Sequence, residues 1–183
     1  NDDKIFVAAN DEFGYLEKRE NNTNYKSLTH LLPDSIQGFG SIWEVESTSY
    51  GTYFRTSTYL FWYHDGELEV LPMINYSGGR FDVVFSVNDT LLLRKRELGL
   101  GRMIGKSFEL LPGGEFFAKI KTNAILSLDE NVLVATRTKG LFLVNENGVE
   151  EFENEVQGIL RDARIYHATT YDNSIAVATL TKG

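Results

Sequence analysis

The chain repeats one short pattern five times at nearly equal intervals, and this repeat constrains the fold more than any other feature. Each copy is an apolar run that ends in Ala, Thr or Lys, as in NVLVAT at 131–136 and SIAVAT at 174–179. The copies end at Ala9, Thr56, Lys95, Thr136 and Thr179, at intervals of 47, 39, 41 and 43 residues. Such periodicity is typical of repeat folds whose structural units stack on one another.

Each unit contains four short stretches with the composition of β-strands. Val, Ile, Thr and aromatic residues dominate these stretches, and such residues favour strands. Turn residues separate them, as in HDG at 64–66 and NENG at 145–148, where Asn or Asp bonds to the local backbone and Gly adopts a positive φ. A repeat of this length with four strands is typical of a β-propeller blade. A meandering β-sandwich with coincidental spacing is the alternative.

The sequence therefore predicts an all-β fold: a partial β-propeller of about four to five blades, each a four-stranded antiparallel sheet. If the strands are labelled A to D from the hub outward, the first blade contributes strands B to D and the last only A and B. We expect a piece of a longer protein, although a four-bladed ring with one surplus strand is an alternative. Open blade edges predict self-association. The single domain, 1–183, has blades at about 4–33, 41–71, 81–112, 123–152 and 164–183.

One segment departs from the strand pattern. Val156, Ile159, Leu160 and Ala163 are spaced i, i+3, i+4, i+7, which predicts a short helix over about 153–163. Elsewhere the inner strand of each blade is expected to carry the core, because neighbouring blades pack on it. The apolar residues expected there, among which Phe85 is expected to be fully buried, are Ile42, Val45, Val83, Phe85, Ile125, Leu128, Ile165 and Ala168.

Composition excludes several classes of protein. The 183 residues carry a formal net charge of −8 and no cysteine, so there is no disulfide framework and no thiolate metal site. The acidic balance disfavours nucleic acid as a partner, and the basic run RKRE at 94–97 is interpreted as an exposed strand end. No apolar run reaches the ~18 residues of a membrane helix.

The sequence contains no recognisable catalytic or metal-binding constellation. His30, His64 and His167 share no local motif, and neither HExxH nor GxSxG occurs. Carboxylate pairs such as Glu67 and Glu69 are typical of solvated surfaces, whereas acid–base catalysis needs a perturbed pair in a cleft. We therefore predict no catalytic residue, no metal ion and no cofactor.

Propellers usually bind partners on the face formed by the loops that join strands B to C and strands D to A. In this chain those loops carry aromatic and basic side chains, which suit an anionic oligosaccharide or another small ligand. Plain loop residues without a ligand are the alternative interpretation. The predicted ligand-binding residues are Tyr59, Arg80, Arg96, Arg137 and Lys182.

Three segments, 51–71, 131–152 and 173–183, resemble the two-component-regulator propeller repeat, in which Gly or Ala and Thr precede a Gly-Leu apolar run. They read GTYFRTSTYLFWYHDGELEVL, NVLVATRTKGLFLVNENGVEEF and NSIAVATLTKG. The unit at 81–112 departs from this pattern. The resemblance implies a non-catalytic ligand sensor, the N-terminal part of a periplasmic ectodomain. Its membrane helix and its histidine kinase or other output domain would lie in regions outside this chain.

Two functions of other classes stay open beside the sensor. One is a propeller-type glycan hydrolase or lyase, whose catalytic acids would line the central funnel. The other is a protein–protein scaffold. A membrane helix and an output domain encoded downstream in the same gene would favour the sensor.

Overall fold

The structure, a computed structural model, describes residues 4–19, 22–72, 81–172 and 174–182. The chain divides into two compact units, Asn1–Tyr76 and Ser77–Gly183. Each unit is built from antiparallel sheets whose strands follow one another in chain order. This meander order arises because tight turns join neighbouring antiparallel strands.

The first unit contains a three-stranded and a four-stranded sheet. The three-stranded sheet comprises β1 (Lys4–Ala8), β2 (Phe13–Arg19) and β3 (Asn22–Ser27). The four-stranded sheet comprises β4 (Glu44–Thr48), β5 (Gly51–Arg55), β6 (Tyr59–His64) and β7 (Glu67–Pro72). A short 3₁₀ turn, Thr29–Leu31, lies in the connection between the two sheets.

The second unit contains two four-stranded sheets, a two-stranded sheet and one helix. The first sheet comprises β8 (Phe81–Val87), β9 (Thr90–Lys95), β10 (Gly99–Ile104) and β11 (Ser107–Leu110). The second comprises β12 (Thr122–Leu128), β13 (Asn131–Thr136), β14 (Gly140–Asn145) and β15 (Gly148–Glu151). Helix α1 (Gln157–Ala163) precedes the pair β16 (Ile165–Tyr171) and β17 (Ser174–Thr179). The predicted four-stranded antiparallel sheets and the short helix are confirmed.

The helix begins at Gln157, four residues later than the predicted start. The side chain of Asn154 sets this boundary, because its Oδ1 accepts a hydrogen bond from the Val156 N–H (3.1 Å) and its Nδ2 donates to the Phe152 carbonyl (2.7 Å). Such local bonds favour turns over helix. Ile159, which the apolar spacing places on the buried face, is 53% exposed.

Gln157 is buried instead, and its carboxamide pairs with the backbone of β14. Its Oε1 accepts from the Leu141 N–H and its Nε2 donates to the Leu141 carbonyl, both at 3.0 Å. Gly140 has a φ of +86°, and a Cβ there would lie 2.5 Å from Gln157 Oε1. The glycine therefore provides the space in which the carboxamide binds the strand.

Replacing Gln157 with alanine is expected to lower the free energy of unfolding by about 1–3 kcal/mol, because the buried Leu141 N–H loses its acceptor and the Leu141 carbonyl keeps only the Phe152 N–H as a donor. Chemical denaturation followed by far-UV circular dichroism measures the change. Ile159→Ala, on the exposed side of the same helix, is the matched control and should change stability much less. Equal effects from the two variants would contradict this role for Gln157.

Aromatic side chains form the core of the first unit. Phe13, Phe54 and Phe61 are fully buried, and Leu28 and Phe39 are at most 8% exposed. The ring of Phe13 stacks on that of Phe61 with a centroid distance of 5.1 Å and lies 4.7 Å from that of Phe54. The core therefore joins β2 of one sheet to β5 and β6 of the next.

In the second unit, β12 lies between β8 and β16, and the core follows these inner strands. The prediction that Phe85 is fully buried is wrong: it is half-buried, whereas Phe81, Val84 and Val87 are the buried residues of β8. Phe85 packs against two separate apolar clusters. Of the predicted core residues, Ile125, Ile165 and Ala168 are buried, and Ile42, Val45, Val83 and Leu128 are half-buried.

Candidate ligand-binding edge

The inner strands β8, β12 and β16 run in the same direction. Near the start of β12, Asn123 Nδ2 donates to the carbonyl of Ile165, which begins β16 (2.7 Å). Near the end of β12, Ser127 Oγ donates to Oδ1 of Asn88, which follows β8 (2.8 Å). Since all three sheets are meanders, the turns that follow β8, β12 and β16 lie at one edge of the unit, and the turns that follow β9 and β13 lie at the opposite edge.

The turns at the first of these edges are acidic, and turn geometry explains why. Asn88, Asp89, Asp129 and Asp172 all adopt a positive φ, between 47° and 59°. Asn and Asp are the non-glycine residues that tolerate this left-handed region best, and hairpin turns require it. We call these four residues the acidic edge. Their charge follows from the geometry of the hairpins.

The opposite edge is basic, and turn geometry does not account for its charge. In the turn between β13 and β14, Thr136 Oγ1 accepts from the Lys139 N–H (3.0 Å) and donates to the Gly140 carbonyl (2.8 Å). Thr136 and Gly140 therefore shape the turn. The side chains of Arg137 and Lys139 are left to project from it.

Two backbone contacts bring the connection between β11 and β12 to the same edge. The Glu97 N–H donates to the Ala118 carbonyl (3.1 Å), and the Arg137 N–H donates to the Lys121 carbonyl (2.8 Å). Lysines in this connection therefore lie beside the basic turns. We call the following residues the basic edge: Arg96, Lys119, Lys121, Arg137, Lys139 and Lys182.

Most cations of the basic edge are unneutralised. Arg137 is half-buried and the other five are exposed. Arg96 pairs with Asp82 at 3.0 Å, and within the described part of the chain the other five residues form no ion pair. Acids also lie nearby: Glu97 and Glu115 are exposed, and Glu151 pairs with Arg161, whose Nε donates to the Lys139 carbonyl. The edge can therefore supply several N–H donors to a carboxylate, sulfate or phosphate group.

Arg94 lies beneath this edge and is 3% exposed, so the prediction that the whole run 94–97 is an exposed strand end is wrong. Its guanidinium pairs with Asp82 and donates to the carbonyls of Phe117 and Ala118, both at 2.7 Å. Burial lowers the pKa of Arg94 and the nearby Arg96 adds to this effect, while Asp82 opposes it. Arg94 therefore attaches the connection between β11 and β12 to β9.

The five predicted ligand-binding residues do not fall in one place. Arg96, Arg137 and Lys182 belong to the basic edge of the second unit. Tyr59 belongs to the first unit, where its ring stacks on Phe61 at a centroid distance of 5.6 Å. Arg80 lies outside the described residues. Their binding role stays a prediction.

Sequence reasoning missed Lys119 and Lys121, although the alternation AKIKT at 118–122 was a usable signal. It also missed Trp43 in the first unit. Trp43 directly precedes β4 and is 63% exposed, whereas the residues that begin the inner strands of the second unit are buried. Those residues are Phe81, Thr122 and Ile165.

Glu12, in the turn between β1 and β2, has a carboxyl group with a displaced pKa. Burial raises its pKa, but hydrogen bonds to its Oε1 from Tyr25 (2.7 Å), Ser27 (2.7 Å) and the Phe13 N–H (3.0 Å) outweigh burial and bring the pKa below its usual value. Burial and the same carboxylate raise the pKa of Tyr25 to about 12. A carboxyl group that acts as a general acid at neutral pH needs a raised pKa, whereas the pKa of Glu12 is lowered.

No group of three or more His, Cys, Asp or Glu side chains is placed to hold a metal ion in the parts of the chain that the structure describes. Within those same ranges, no helix has the length and apolar character needed to cross a membrane.

No protein-family model matches the chain, and no curated protein matches its sequence. The resemblance to the two-component-regulator propeller repeat therefore stays a prediction. Similar solved structures exist. The structure of YCF48 bound to a D1 peptide matches with a TM-score of 0.63 at 8% identity, over 91% of this chain and 56% of that one.

The WD40 β-propeller domain of Doa1 matches with a TM-score of 0.60 at 14% identity, over 98% of this chain and 59% of that one. The chain thus spans less than two thirds of either structure. At these identities the likeness shows the fold alone. It confirms the fold class predicted from the repeat: the chain is built from the blades of a β-propeller.

Proposed function

We propose that the chain is a non-catalytic recognition module whose basic edge binds an anionic ligand. The observation that carries the proposal is a strip of basic side chains, most of them without ion-pair partners among the described residues, on a chain with a formal net charge of −8. Hairpin geometry explains the acids of the acidic edge, but it does not explain the basic strip. A bound anion would form charge-assisted hydrogen bonds there.

The charge of the whole chain favours a short ligand. A long polyanion would extend beyond the basic edge and meet the acidic remainder, where repulsion acts over a screening length of about 8–10 Å. A short uronic-acid oligosaccharide or a small organic acid would contact the strip alone. Nucleic acid therefore stays disfavoured.

A more specific proposal is that this recognition serves signal transduction. In the repeat that the segments at 131–152 and 173–183 resemble, the propeller is the periplasmic sensor of a bacterial membrane protein. We propose the same location and role here, with the membrane helix and output domain encoded elsewhere in the same gene. The full-length coding sequence tests this, because a gene that encodes neither would contradict the sensor.

Arg137→Ala is expected to weaken binding of a uronic-acid oligosaccharide roughly tenfold to a hundredfold, since one charge-assisted hydrogen bond contributes about 1.5–3 kcal/mol. Isothermal titration calorimetry measures the loss, and higher salt should weaken wild-type binding further. Lys106→Ala is the matched control, because Lys106 lies in the turn between β10 and β11 at the opposite end of the sheet. Equal losses from both variants would contradict binding at the basic edge.

A second candidate ligand is an acidic peptide, which would make the chain a protein–protein scaffold. One observation favours it: the similar structure of YCF48 holds a peptide. The same titration with an acidic peptide of matched charge decides between the two. Preference for the peptide, lost in Arg137→Ala, would replace the oligosaccharide proposal while retaining the site.

The hydrolase or lyase alternative makes a different prediction. An enzyme would turn over the glycan, and replacement of a carboxylate that lines the funnel would abolish turnover. The lowered pKa of Glu12 gives no support to that alternative. Detection of glycan turnover that depends on such a carboxylate would overturn the non-catalytic proposal.

A further inference from the structure

The first unit contains an open groove of about 810 Å³, far along the chain from the basic edge. This volume lies within the range of about 300–1,000 Å³ that is usual for small-molecule sites. The groove lies between β1 of the three-stranded sheet and the turns that follow β4 and β6 of the four-stranded sheet. Residues that define its character include Lys4, Phe6, Tyr50, Trp62, Tyr63 and His64.

The groove contains one unneutralised cation. The Nζ of Lys4 lies 4.3 Å from the ring centroid of Tyr15 and 5.6 Å from that of Tyr63. In the described ranges, no carboxylate pairs with Lys4. An ammonium group held by ring faces at the wall of a groove can bind an anion that enters.

The remaining walls are largely aromatic. Trp62 lies between the rings of Tyr53 and His64, at centroid distances of 5.6 Å and 4.1 Å. Tyr50 is 71% exposed at the mouth of the groove. Exposed ring surface of this kind binds flat apolar groups by stacking and edge contacts.

Three aliphatic hydroxyl groups in the wall, those of Ser47, Thr48 and Thr52, already form hydrogen bonds, which disfavours a sugar. Ser47 Oγ and Thr52 Oγ1 bond to each other at 3.0 Å. Thr48 Oγ1 accepts from the Tyr50 N–H (3.2 Å) and donates to the Gly51 carbonyl (3.4 Å). A polyol would need free donors and acceptors from this turn, whereas a flat ring would not.

One polar atom of the wall lacks a partner. Nε2 of His64 is buried and has no hydrogen bond within the part of the chain described, and Nδ1 lies 3.7 Å from Oδ2 of Asp65. Buried polar atoms without partners are rare in folded proteins. A polar substituent on a molecule in the groove could provide the missing bond.

We propose that this groove binds an aromatic carboxylate, with the carboxylate on the ammonium of Lys4 and the ring against Tyr50 and the aromatic wall. The cation, the ring surface and the engaged hydroxyls together select a flat anion over a polyol. This site is independent of the basic edge, because every residue that lines it belongs to the first unit.

Titration with cinnamate tests the proposal, with cinnamamide as the uncharged analogue and glucuronate as the polyol acid. Cinnamate should bind at least tenfold more tightly than either. Lys4→Met should weaken cinnamate binding about tenfold or more, and Tyr50→Ala should weaken it measurably. Lys26→Met and Tyr171→Ala remove an exposed lysine and an exposed tyrosine elsewhere and should leave binding unchanged.

Nuclear magnetic resonance places the bound molecule. The chain has two tryptophans, and the indole N–H of Trp62 donates to the Tyr50 carbonyl at 3.0 Å. Cinnamate should therefore shift the indole signal of Trp62 and leave that of Trp43 in place. No binding of cinnamate, equal binding of cinnamamide, preference for glucuronate, or a Lys4→Met variant that binds normally would each overturn the proposal. Failure here would leave the Arg137 experiment unaffected.

Discussion

Replacing Phe13 with alanine is expected to lower the free energy of unfolding by about 3–5 kcal/mol, the range found for large aromatic residues in well-packed cores. Phe13 is fully buried and touches the rings of Phe39, Phe54 and Phe61 at centroid distances of 4.7–5.6 Å. Phe54 and Phe61, which are held on adjacent paired strands, cannot move far enough to fill the cavity. The loss of stability therefore includes both the lost burial of the apolar ring and the cost of the cavity that remains.

The chain offers a specific readout for this variant, because both tryptophans, Trp43 and Trp62, lie in the first unit. Their fluorescence during urea denaturation reports on the unit that contains Phe13. Ile5→Ala is the matched control, since Ile5 lies on the neighbouring strand β1 and is 65% exposed. A loss below about 1 kcal/mol for Phe13→Ala would mean that the core of this unit can repack around the cavity.

The repeat could be predicted from the sequence because its anchor has a local structural cause. Thr136 ends β13 and Thr56 directly follows β5, and each side chain bonds to the turn that follows. Thr56 Oγ1 accepts from the N–H groups of Thr58 and Tyr59 at 3.0 Å and 2.9 Å. Lys95 replaces Thr in the weakest copy, and there the turn instead uses Glu97 at a φ of +68°. Local chemistry of this kind is visible in a sequence.

Burial along the inner strands was less predictable, since it depends on how sheets stack. A strand with one covered face buries alternate residues, and the prediction for Phe85 assumed that pattern. In β8 the buried positions are three apart, at Phe81, Val84 and Val87. Phe85 contacts two apolar clusters, which lie on opposite faces of the neighbouring sheet that contains β12, without being enclosed by either. No period of two or 3.6 describes a strand covered in this way.

The residues of the candidate site also divide into those placed by local sequence and those placed by tertiary contacts. The sequence places Arg137 and Lys139 in a turn, and turn chemistry is enough to predict that they lie at the end of a hairpin. Lys119 and Lys121 join them only because the backbone at 118 and 121 bonds to neighbouring strands. Gln157, a polar residue in an otherwise amphipathic pattern, is buried because its carboxamide bonds to the N–H and the carbonyl of Leu141 in β14. Contacts of this kind can be predicted only when the pairing of strands far apart in the sequence is known.

Asp82→Ala is expected to lower the free energy of unfolding by about 3–5 kcal/mol, because it leaves the buried guanidinium of Arg94 without its counter-ion. The side chain of Asp82 is 11% exposed and also binds Arg96. Denaturation followed by far-UV circular dichroism measures the loss. Glu109→Ala is the matched control: its pair with Arg102 is about half exposed on both sides, and such pairs contribute about 0–1 kcal/mol.

The sheet formed by β12–β15 allows a second comparison, because it carries no charged residue at the positions that correspond to Asp82 and Arg94. Asn123 and Ala135 occupy there the places of Asp82 and Arg94. The double variant Asp82→Asn with Arg94→Ala should therefore be more stable than Asp82→Ala alone, since it removes the buried charge together with its partner. The carbonyls of Phe117 and Ala118 still lose their donor, so wild-type stability should not be reached. A double variant less stable than Asp82→Ala would show that those two bonds, and not the ion pair, are the larger contribution of Arg94.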